Sequence, residues 1–276
     1  MALYFADSPF ESADVVVVGL PYDRTSSFIP GSRFGPAYIR IAGDNVESHS
    51  PTFKRDLSEL RIHDAGDMSF ADIRWPAVAA KIQSEAARLF SGSRLPVFLG
   101  GEHSVTAPVL AACQEKYSDV AVIQFDAHAD LRAEFLGEEH SHATAMCRAR
   151  EIVGADSVFQ FGIRSGTRDE FDRATHLYPF AVQAPLQEAR PTFEGRPVYL
   201  TIDVDVLDPS VMPAVSTPEP GGIDYRELLR ALIELRGCRI VGVDLVEYNP
   251  MSNRDLGAAS LMASLLREVI LLAGPQ

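Results

Sequence analysis

The chain has 276 residues, of which 46% are hydrophobic and 23% charged, and its formal net charge is −13. A chain of this size and composition can bury a large apolar core without disulfides. The acidic balance argues against nucleic acid or an anionic membrane as the main partner, because both require a basic surface. It would suit a cationic ligand.

The three cysteines include no CxxC pair, which excludes a disulfide framework and indicates a reducing compartment. No uninterrupted apolar run approaches the roughly 18 residues of a membrane span. The first residues lack the basic start and long apolar stretch of a signal peptide. We therefore expect a cytoplasmic protein with no membrane partner, in which the cysteines are ordinary core or surface residues.

Short apolar runs alternate with longer segments of helical periodicity. Continuous apolar runs, typical of strands covered on both faces, occur at residues 15–20, 95–99, 120–125, 157–161, 198–202 and 239–243. Helical spacing occurs at residues 76–90, 108–117, 225–235 and 256–272. This alternation predicts a single domain over residues 1–276, with an α/β fold of three layers around a mainly parallel sheet.

Polar side chains follow the ends of several predicted strands. In an open parallel sheet, ligands bind beyond the carboxyl ends of the strands. We therefore expect these side chains to converge on one rim although they are far apart in the sequence. They are Glu102, His103, Asp126, His128, Asp130, Asp203, Asp205 and Glu247.

The strongest local signal is Asp126-Ala127-His128-Ala129-Asp130, directly after a predicted strand. A second cluster of the same form is Asp203-Val204-Asp205. Aspartate is common in turns, so the second motif alone is weak. The joint occurrence of both motifs with His103 indicates a metal site. Converging carboxylates would repel one another and have raised pKa values without a cation, and a pair of divalent cations resolves that repulsion.

The predicted ligand set is rich in oxygen, contains two imidazoles and lacks a thiolate. Such a set favours Mn²⁺ over structural zinc or an iron–sulfur cluster. Bridging aspartates suit two ions about 3.5–4 Å apart, which generate hydroxide at neutral pH.

Six short motifs then occur in a characteristic order. They are Gly-Gly-Glu-His-Ser at 100–104, Phe-Asp-Ala-His-Ala-Asp at 125–130, Ser-His-Ala at 141–143, Asp-Val-Asp-Val-Leu-Asp-Pro at 203–209, Ser-Thr-Pro-Glu-Pro-Gly-Gly at 216–222 and Val-Asp-Leu-Val-Glu-Tyr-Asn-Pro at 243–250. Together with residues 19–23 and 31–36, this set resembles the ureohydrolase family of arginase and agmatinase. The resemblance implies a three-layer α/β/α fold and two Mn²⁺ per subunit that hydrolyse a guanidinium group to urea and an amine.

The resemblance also implies a ligand set. One manganese would be bound by His103, Asp126, Asp130 and Asp203, and the other by Asp126, His128, Asp203 and Asp205. In this arrangement Asp126 and Asp203 bridge the two ions, and Asp130 also orients the hydroxide.

Three further residues match family positions that act on the substrate. Glu247 would pair with the guanidinium, a geometry that carboxylates serve well. His142 would act as a proton shuttle or acid, a role that the ordinary histidine pKa of about 6.5 suits. Thr217 would help to position the guanidinium. Two departures from the commonest family motifs, Ala143 and Ser216 in place of glycines, concern substrate fit rather than metal binding.

Substrate choice is expected to depend on the loop at residues 131–140. Its three glutamates, Glu134, Glu138 and Glu139, favour a distal amine over the α-carboxylate of arginine. We therefore expect agmatine, hydrolysed to putrescine in polyamine biosynthesis, or its aminopropyl derivative. Arg132 leaves a guanidino acid or formimidoylglutamate open, although His142 weighs against a formimidoylglutamase.

Two other classes of protein compete with a ureohydrolase. A non-catalytic metal-binding sensor on the same fold is disfavoured by the complete ligand set together with His142 and Glu247. A deacetylase of related fold is disfavoured by the doubled aspartate clusters. The resemblance further implies a homo-oligomer, either a trimer or a hexamer.

Overall fold

The computed structural model describes residues 2–70 and 74–275. Its strands in chain order are β1 (Val15–Leu20), β2 (His49–Ser50), β3 (Arg55–Asp56), β4 (Ile62–Asp67), β5 (Leu95–Gly100), β6 (Ala121–Phe125), β7 (Val158–Ile163), β8 (His176–Pro179), β9 (Pro197–Asp203) and β10 (Arg239–Val246). Its α-helices are α1 (Gly35–Gly43), α2 (Trp75–Phe90), α3 (Thr106–Lys116), α4 (Ala145–Val153), α5 (Arg168–Arg173), α6 (Gln183–Ala189), α7 (Tyr225–Glu234) and α8 (Leu256–Ala273).

Eight of these strands form a parallel sheet in the order β4-β1-β5-β10-β9-β6-β7-β8, while β2 and β3 form a small antiparallel pair. The six predicted strands are all present. Strand β10 extends to Val246 rather than ending at residue 243, so Glu247 directly follows the strand.

Besides the short pair β2 and β3, the sequence prediction missed β4 and β8, which lie at the two edges of the eight-stranded sheet. An edge strand is only partly covered, so its sequence need not be continuously apolar. Strand β4 carries His63, Asp64 and Asp67, and β8 is only partly buried along its length. The helices α1, α4, α5 and α6, which were also missed, are short and present few apolar turns.

Separate apolar clusters lie on the two faces of the sheet. Alternate residues of β1 point to opposite faces, so Val15 and Val17 join one cluster while Val16 and Val18 join the other. Buried residues of α1, α6, α7 and α8 pack into the first cluster, and those of α2, α3 and α4 pack into the second. The predicted three-layer α/β/α arrangement is therefore confirmed.

Helix α8 is, within the described ranges, the one helix long and apolar enough to span a membrane by length and composition. Arg267 and Glu268 interrupt its apolar sequence, which is why no uninterrupted run was found. The buried side chains of the helix, including Leu266 and Ile270, pack against the sheet. This burial is that of a core helix.

Parallel pairing places the carboxyl ends of all eight strands at one edge of the sheet. The central strands β5, β10, β9 and β6 are adjacent there and end at Gly100, Val246, Asp203 and Phe125. The polar motifs singled out in the sequence follow these four ends.

Candidate metal centre and active site

The six predicted metal ligands lie together at this edge of the sheet. Nδ1 of His103 lies 3.1 Å from Oδ2 of Asp126 and 3.1 Å from Oδ2 of Asp130. It also lies 3.6 Å from Oδ2 of Asp203. Nδ1 of His128 lies 2.9 Å from Oδ2 of Asp205 and 3.6 Å from Oδ1 of Asp126.

These side chains form two overlapping groups that share Asp126. One group is His103, Asp126 and Asp203, and the other is Asp126, His128 and Asp205. The donor atoms within each group lie within 4.8 Å of one another. This is the arrangement expected for two neighbouring cations with a bridging carboxylate.

Two buried atoms of the cluster have no hydrogen-bond partner within residues 2–70 and 74–275 and are suited to binding a metal. Nδ1 of His103 and Oδ2 of Asp205 are buried, and neither makes a hydrogen bond among the described residues. Leaving such atoms unpaired is costly, so a cation that binds them stabilises the site. The hydroxyl of Thr201, 2.9 Å from Nε2 of His103, pairs with the other ring nitrogen and fixes the orientation of the ring.

Burial and mutual repulsion perturb the aspartates. Burial first, and then Asp205 and Asp126, raise the pKa of Asp203 well above its usual range. Burial and the charge of Asp126 raise the pKa of Asp130 to about 6. Burial also acts to raise the pKa of Asp126, but the adjacent imidazoles of His103 and His128 outweigh it, and the pKa is lowered.

Two residues at the site have a strained backbone. Asp130 has φ 53° and Glu247 has φ 66°, in the left-handed region that non-glycine residues rarely adopt. The carbonyl of Asp130 accepts hydrogen bonds from the first turn of α4, and the N–H of Glu247 donates to the carbonyl of Gly101 at 2.8 Å. Such strain costs about 1–3 kcal/mol and is concentrated at functional sites.

The cluster opens into a cavity of about 240 Å³. Among the residues that line it are Ser27, His128, Asp130, Arg132, Phe135, His142, Ala143, Ser165, Glu170, Asp203, Thr217 and Glu247. A larger cavity, of about 630 Å³, lies at the opposite ends of the strands near Arg61 and Arg239. None of the predicted site residues lines that larger cavity.

Glu247 is buried beside the cluster of candidate metal ligands and lines the cavity. Its Oε1 accepts a hydrogen bond of 2.8 Å from the backbone N–H of His103. Burial first, and then the charge of Glu102, raise the pKa of Glu247 to about 8. A cationic ligand would favour the ionised form of this carboxyl.

His142 lines the cavity and belongs to neither group of candidate metal ligands. Its Nδ1 is 3.3 Å from Oγ1 of Thr25, and its Nε2 is 3.2 Å from Oγ of Ser27. Burial, and then the charges of His128 and His103, lower the pKa of His142 to about 4. The ring is therefore neutral at pH 7. This lowered pKa differs from the ordinary histidine pKa of about 6.5, on which the sequence analysis relied.

The structure also locates the residues that raised questions of substrate fit. Thr217 and Ala143 line the cavity. The buried hydroxyl of Ser216 accepts a hydrogen bond of 3.2 Å from Nδ2 of Asn249 and does not line it.

Glu134, Glu138 and Glu139 are exposed and do not line the cavity, so they are not placed to hold a distal amine there. Within this loop, Arg132 and Phe135 line the cavity.

Two acidic residues near the site were assigned no specific function in the sequence analysis. Glu102 is fully buried, and burial raises its pKa to about 7. Glu219 accepts a hydrogen bond of 3.0 Å from Oγ of Ser165, and its Oε1 lies 3.9 Å from Nε2 of His128. Both belong to the quoted motifs, but their contacts with distant elements are not visible in the sequence.

Comparison with known proteins agrees with this geometry. The sequence model of the arginase family matches residues 13–272. Agmatinase from Bacillus anthracis is 41% identical over 95% of this chain and 92% of its own length. N(1)-aminopropylagmatine ureohydrolase from Thermus thermophilus is 36% identical over 98% of this chain and 94% of its own length. The crystal structure of agmatine ureohydrolase from Thermoplasma volcanium has a TM-score of 0.90 and 31% identity, covering 99% of this chain and 94% of that one.

The chain thus belongs to the arginase family, whose members are binuclear metal enzymes. Its curated relatives at about 40% identity are ureohydrolases, and the chain is a hydrolase of the arginase and agmatinase type.

We predict that the Mn²⁺-loaded protein holds two metal ions per chain. Asp126→Asn should weaken the binding of both ions because Asp126 belongs to both groups of ligand atoms, whereas His128→Asn should weaken only one. Metal analysis after dialysis at graded Mn²⁺ concentration measures this difference. Equal losses in the two variants would show that Asp126 does not bridge.

Proposed function

We propose that this protein catalyses the manganese-dependent hydrolysis of agmatine to urea and putrescine. The observation that carries the proposal is the pair of overlapping acidic groups sharing Asp126, next to a cavity lined by the buried carboxyl of Glu247. His103, Asp126, Asp130 and Asp203 would hold one ion, and Asp126, His128, Asp203 and Asp205 the other. When bound, the two ions would supply Lewis acidity and a water of lowered pKa.

The other residues would bind the substrate and move protons. Glu247 would hold the guanidinium by charge-assisted hydrogen bonds, with Thr217 completing the contact. Asp130, strained and adjacent to the cluster, would orient the attacking water. His142 is neutral at pH 7, so it would first accept a proton and then deliver it to the departing amine.

Charged groups that line the cavity or lie beside it support a substrate with a second cationic group. Glu219 does not line the cavity, but its Oε1 lies 3.9 Å from Nε2 of His128, which does. Nε of Arg132 lies 3.5 Å from Oε2 of Glu170, and its guanidinium stacks over Phe135 at 4.7 Å, so its charge is already partnered. Glu219 has no basic side-chain partner closer than His128 within the described part of the chain. Its carboxylate is therefore available to a distal ammonium group, as in agmatine.

An acid that carries a guanidinium or a formamidine group is the second candidate substrate, because Arg132 itself lines the cavity. If a substrate carboxylate displaced Glu170 from Arg132, the site would take guanidinobutyrate or formimidoylglutamate instead. The side chain of Arg132 is 38% exposed, so such a carboxylate could reach it. We favour agmatine because the existing pair with Glu170 would first have to open.

The proposal extends to the setting of the enzyme. We propose one domain over residues 1–276, a role in polyamine biosynthesis, a cytoplasmic location, and assembly into a trimer or hexamer. The family resemblance supports the assembly, and the three cysteines, all unpaired, fit a reducing compartment. Light scattering of the purified protein distinguishes a monomer from a trimer and a hexamer.

Product-release assays with Mn²⁺ test the proposed activity, with urea measured for the four guanidines and formamide for formimidoylglutamate, whose amidine carbon cannot give urea. The substrates to compare are agmatine, aminopropylagmatine, guanidinobutyrate, arginine and formimidoylglutamate. We expect kcat/KM to be highest for agmatine and lowest for substrates with a carboxylate. Preference for a guanidino acid would favour the second candidate. Release from none of them, in protein that binds two ions, would favour a metal-binding sensor.

We predict that Glu219→Gln raises KM for agmatine without a matching rise for butylguanidine, which lacks the distal amine. The variant keeps the side-chain shape and removes the charge. An exposed ion pair contributes about 0.2–1 kcal/mol, so the expected rise is roughly 1.4- to fivefold. Steady-state kinetics with both substrates measure this. An equal change for both would place the distal amine elsewhere.

We predict that kcat/KM for agmatine rises with pH until Glu247 is ionised. The metal-free pKa of Glu247 is raised to about 8, so the carboxyl gains its charge as pH rises through this value. Bound cations lower the pKa of Glu247, so the rise in kcat/KM is expected to end at or below about pH 8. Glu247→Gln should lower kcat/KM and remove this limb of the pH profile. A limb that persists in the variant would belong to another group.

A further inference from the structure

A chain of hydrogen bonds connects the buried Glu102 to the imidazole of His142. Thr25 donates its hydroxyl to Oε1 of Glu102 at 2.7 Å and its backbone N–H to Oε2 at 2.7 Å. Ser104 also donates its hydroxyl to Oε1, at 2.6 Å. The same Thr25 hydroxyl oxygen lies 3.3 Å from Nδ1 of His142 and accepts the backbone N–H of His142 at 3.1 Å.

The position of Thr25 depends on a close approach of two chain segments. Beyond the ends of β1 and β5, the N–H of Gly101 donates to the carbonyl of Leu20, and that of Glu102 donates to the carbonyl of Tyr22. A Cβ atom at Gly101 would lie 2.1 Å from the carbonyl oxygen of Tyr22. Only glycine allows this approach, which brings Thr25 within reach of Glu102.

Counting protons assigns a direction to each bond. A hydroxyl has one proton to donate and two lone pairs that accept. With Glu102 ionised, the Thr25 proton goes to its carboxylate, so both remaining positions on Oγ1 accept. One receives the backbone N–H of His142, and the other faces Nδ1, which must therefore carry a proton.

We propose that Glu102 and Thr25 are positioning residues that fix His142 as the Nδ1–H tautomer, so that Nε2 is the nitrogen that accepts and delivers the proton. Nε2 faces Ser27, which lines the cavity, whereas Thr25 does not line it. The basic nitrogen is thus held on the side of the substrate. The same principle, a carboxylate that sets a histidine tautomer, operates directly in serine proteases, whereas here a threonine hydroxyl lies between the two groups.

This inference rests on the proposed role of His142, and its test separates the two. The first measurement is the ¹⁵N spectrum of labelled histidine at pH 9, with Mg²⁺ in place of paramagnetic Mn²⁺. The His142 signal is assigned by its loss in His142→Asn. We expect the Nδ1–H tautomer in the wild type and in Ser27→Ala, which keeps Thr25. An Nε2–H tautomer in the wild type would overturn the proposal whether or not the protein releases urea.

The variants at the other end of the chain of bonds test the cause. The amide of Glu102→Gln can donate to Oγ1 of Thr25, which releases the hydroxyl proton toward Nδ1. We expect this variant to shift His142 toward the Nε2–H tautomer while two metal ions remain bound. An unchanged tautomer in Glu102→Gln would show that the carboxylate does not set it.

The second measurement is a double-mutant cycle of urea release by the Mn²⁺ enzyme. Thr25→Val should lower kcat roughly 10- to 100-fold with little change in KM, less than the roughly 10²–10⁴-fold typical of complete loss of acid–base catalysis, because His142 itself remains. Thr25→Ser, which keeps the hydroxyl, should restore most of it. In a His142→Asn background, Thr25→Val should have no further effect. A further loss there would mean that Thr25 acts through the structure and not through His142.

If His142→Asn alone leaves kcat unchanged, the proposed proton shuttle is wrong, and the tautomer measurement still decides the positioning proposal. If His142→Asn lowers kcat but Thr25→Val does not, the shuttle stands and the positioning role is wrong.

Discussion

The site depends on the burial of four aspartates at one edge of a parallel sheet. Asp126, Asp130, Asp203 and Asp205 are all buried, and two of them have raised pKa values because burial and neighbouring carboxylates oppose their charge. Taking an ion out of water costs several kcal/mol unless an opposite charge compensates. His103 and His128 supply part of that compensation, and divalent cations would supply the rest. The site is thus a cluster whose folding and metal binding favour each other.

The parallel sheet makes this concentration of charge possible. Four adjacent strands end at the same edge. Asp126 and Asp130 follow β6, whereas Asp203 and Asp205 lie at the end of β9, so no single segment has to carry the whole charge. Backbone N–H groups satisfy the oxygens that face away from the centre, as Ala127 does for Oδ1 of Asp205 at 3.0 Å and Asp205 does for Oδ1 of Asp203 at 2.9 Å. These bonds orient the free oxygens inward.

The sequence predicts the parts of this protein that depend on local pattern. The central strands are continuous apolar runs, and the ligands follow strand ends, so both are visible without a structure. The edge strand β4 is mixed in polarity and was missed. The contact between Thr25 and His142 spans 117 positions, and the low pKa of His142 follows from burial created by several elements. The same holds for Glu219, whose neighbours Ser165 and His128 follow other strands. Such features depend on tertiary packing, which spacing along the chain does not record.

The same electrostatic constraint links the metal cluster to the choice of substrate. Glu247 is buried near Glu102 and Asp205, and burial first, then the charge of Glu102, raise the pKa of its carboxyl although His103 acts in the opposite direction. A guanidinium that enters the cavity supplies the missing positive charge, and a neutral ligand of the same shape does not. Under the proposed function, the pocket would therefore discriminate by charge before any contact with the rest of the substrate is made. Specificity among guanidines would then depend on Arg132, which lines the cavity, and on Glu219 beside His128.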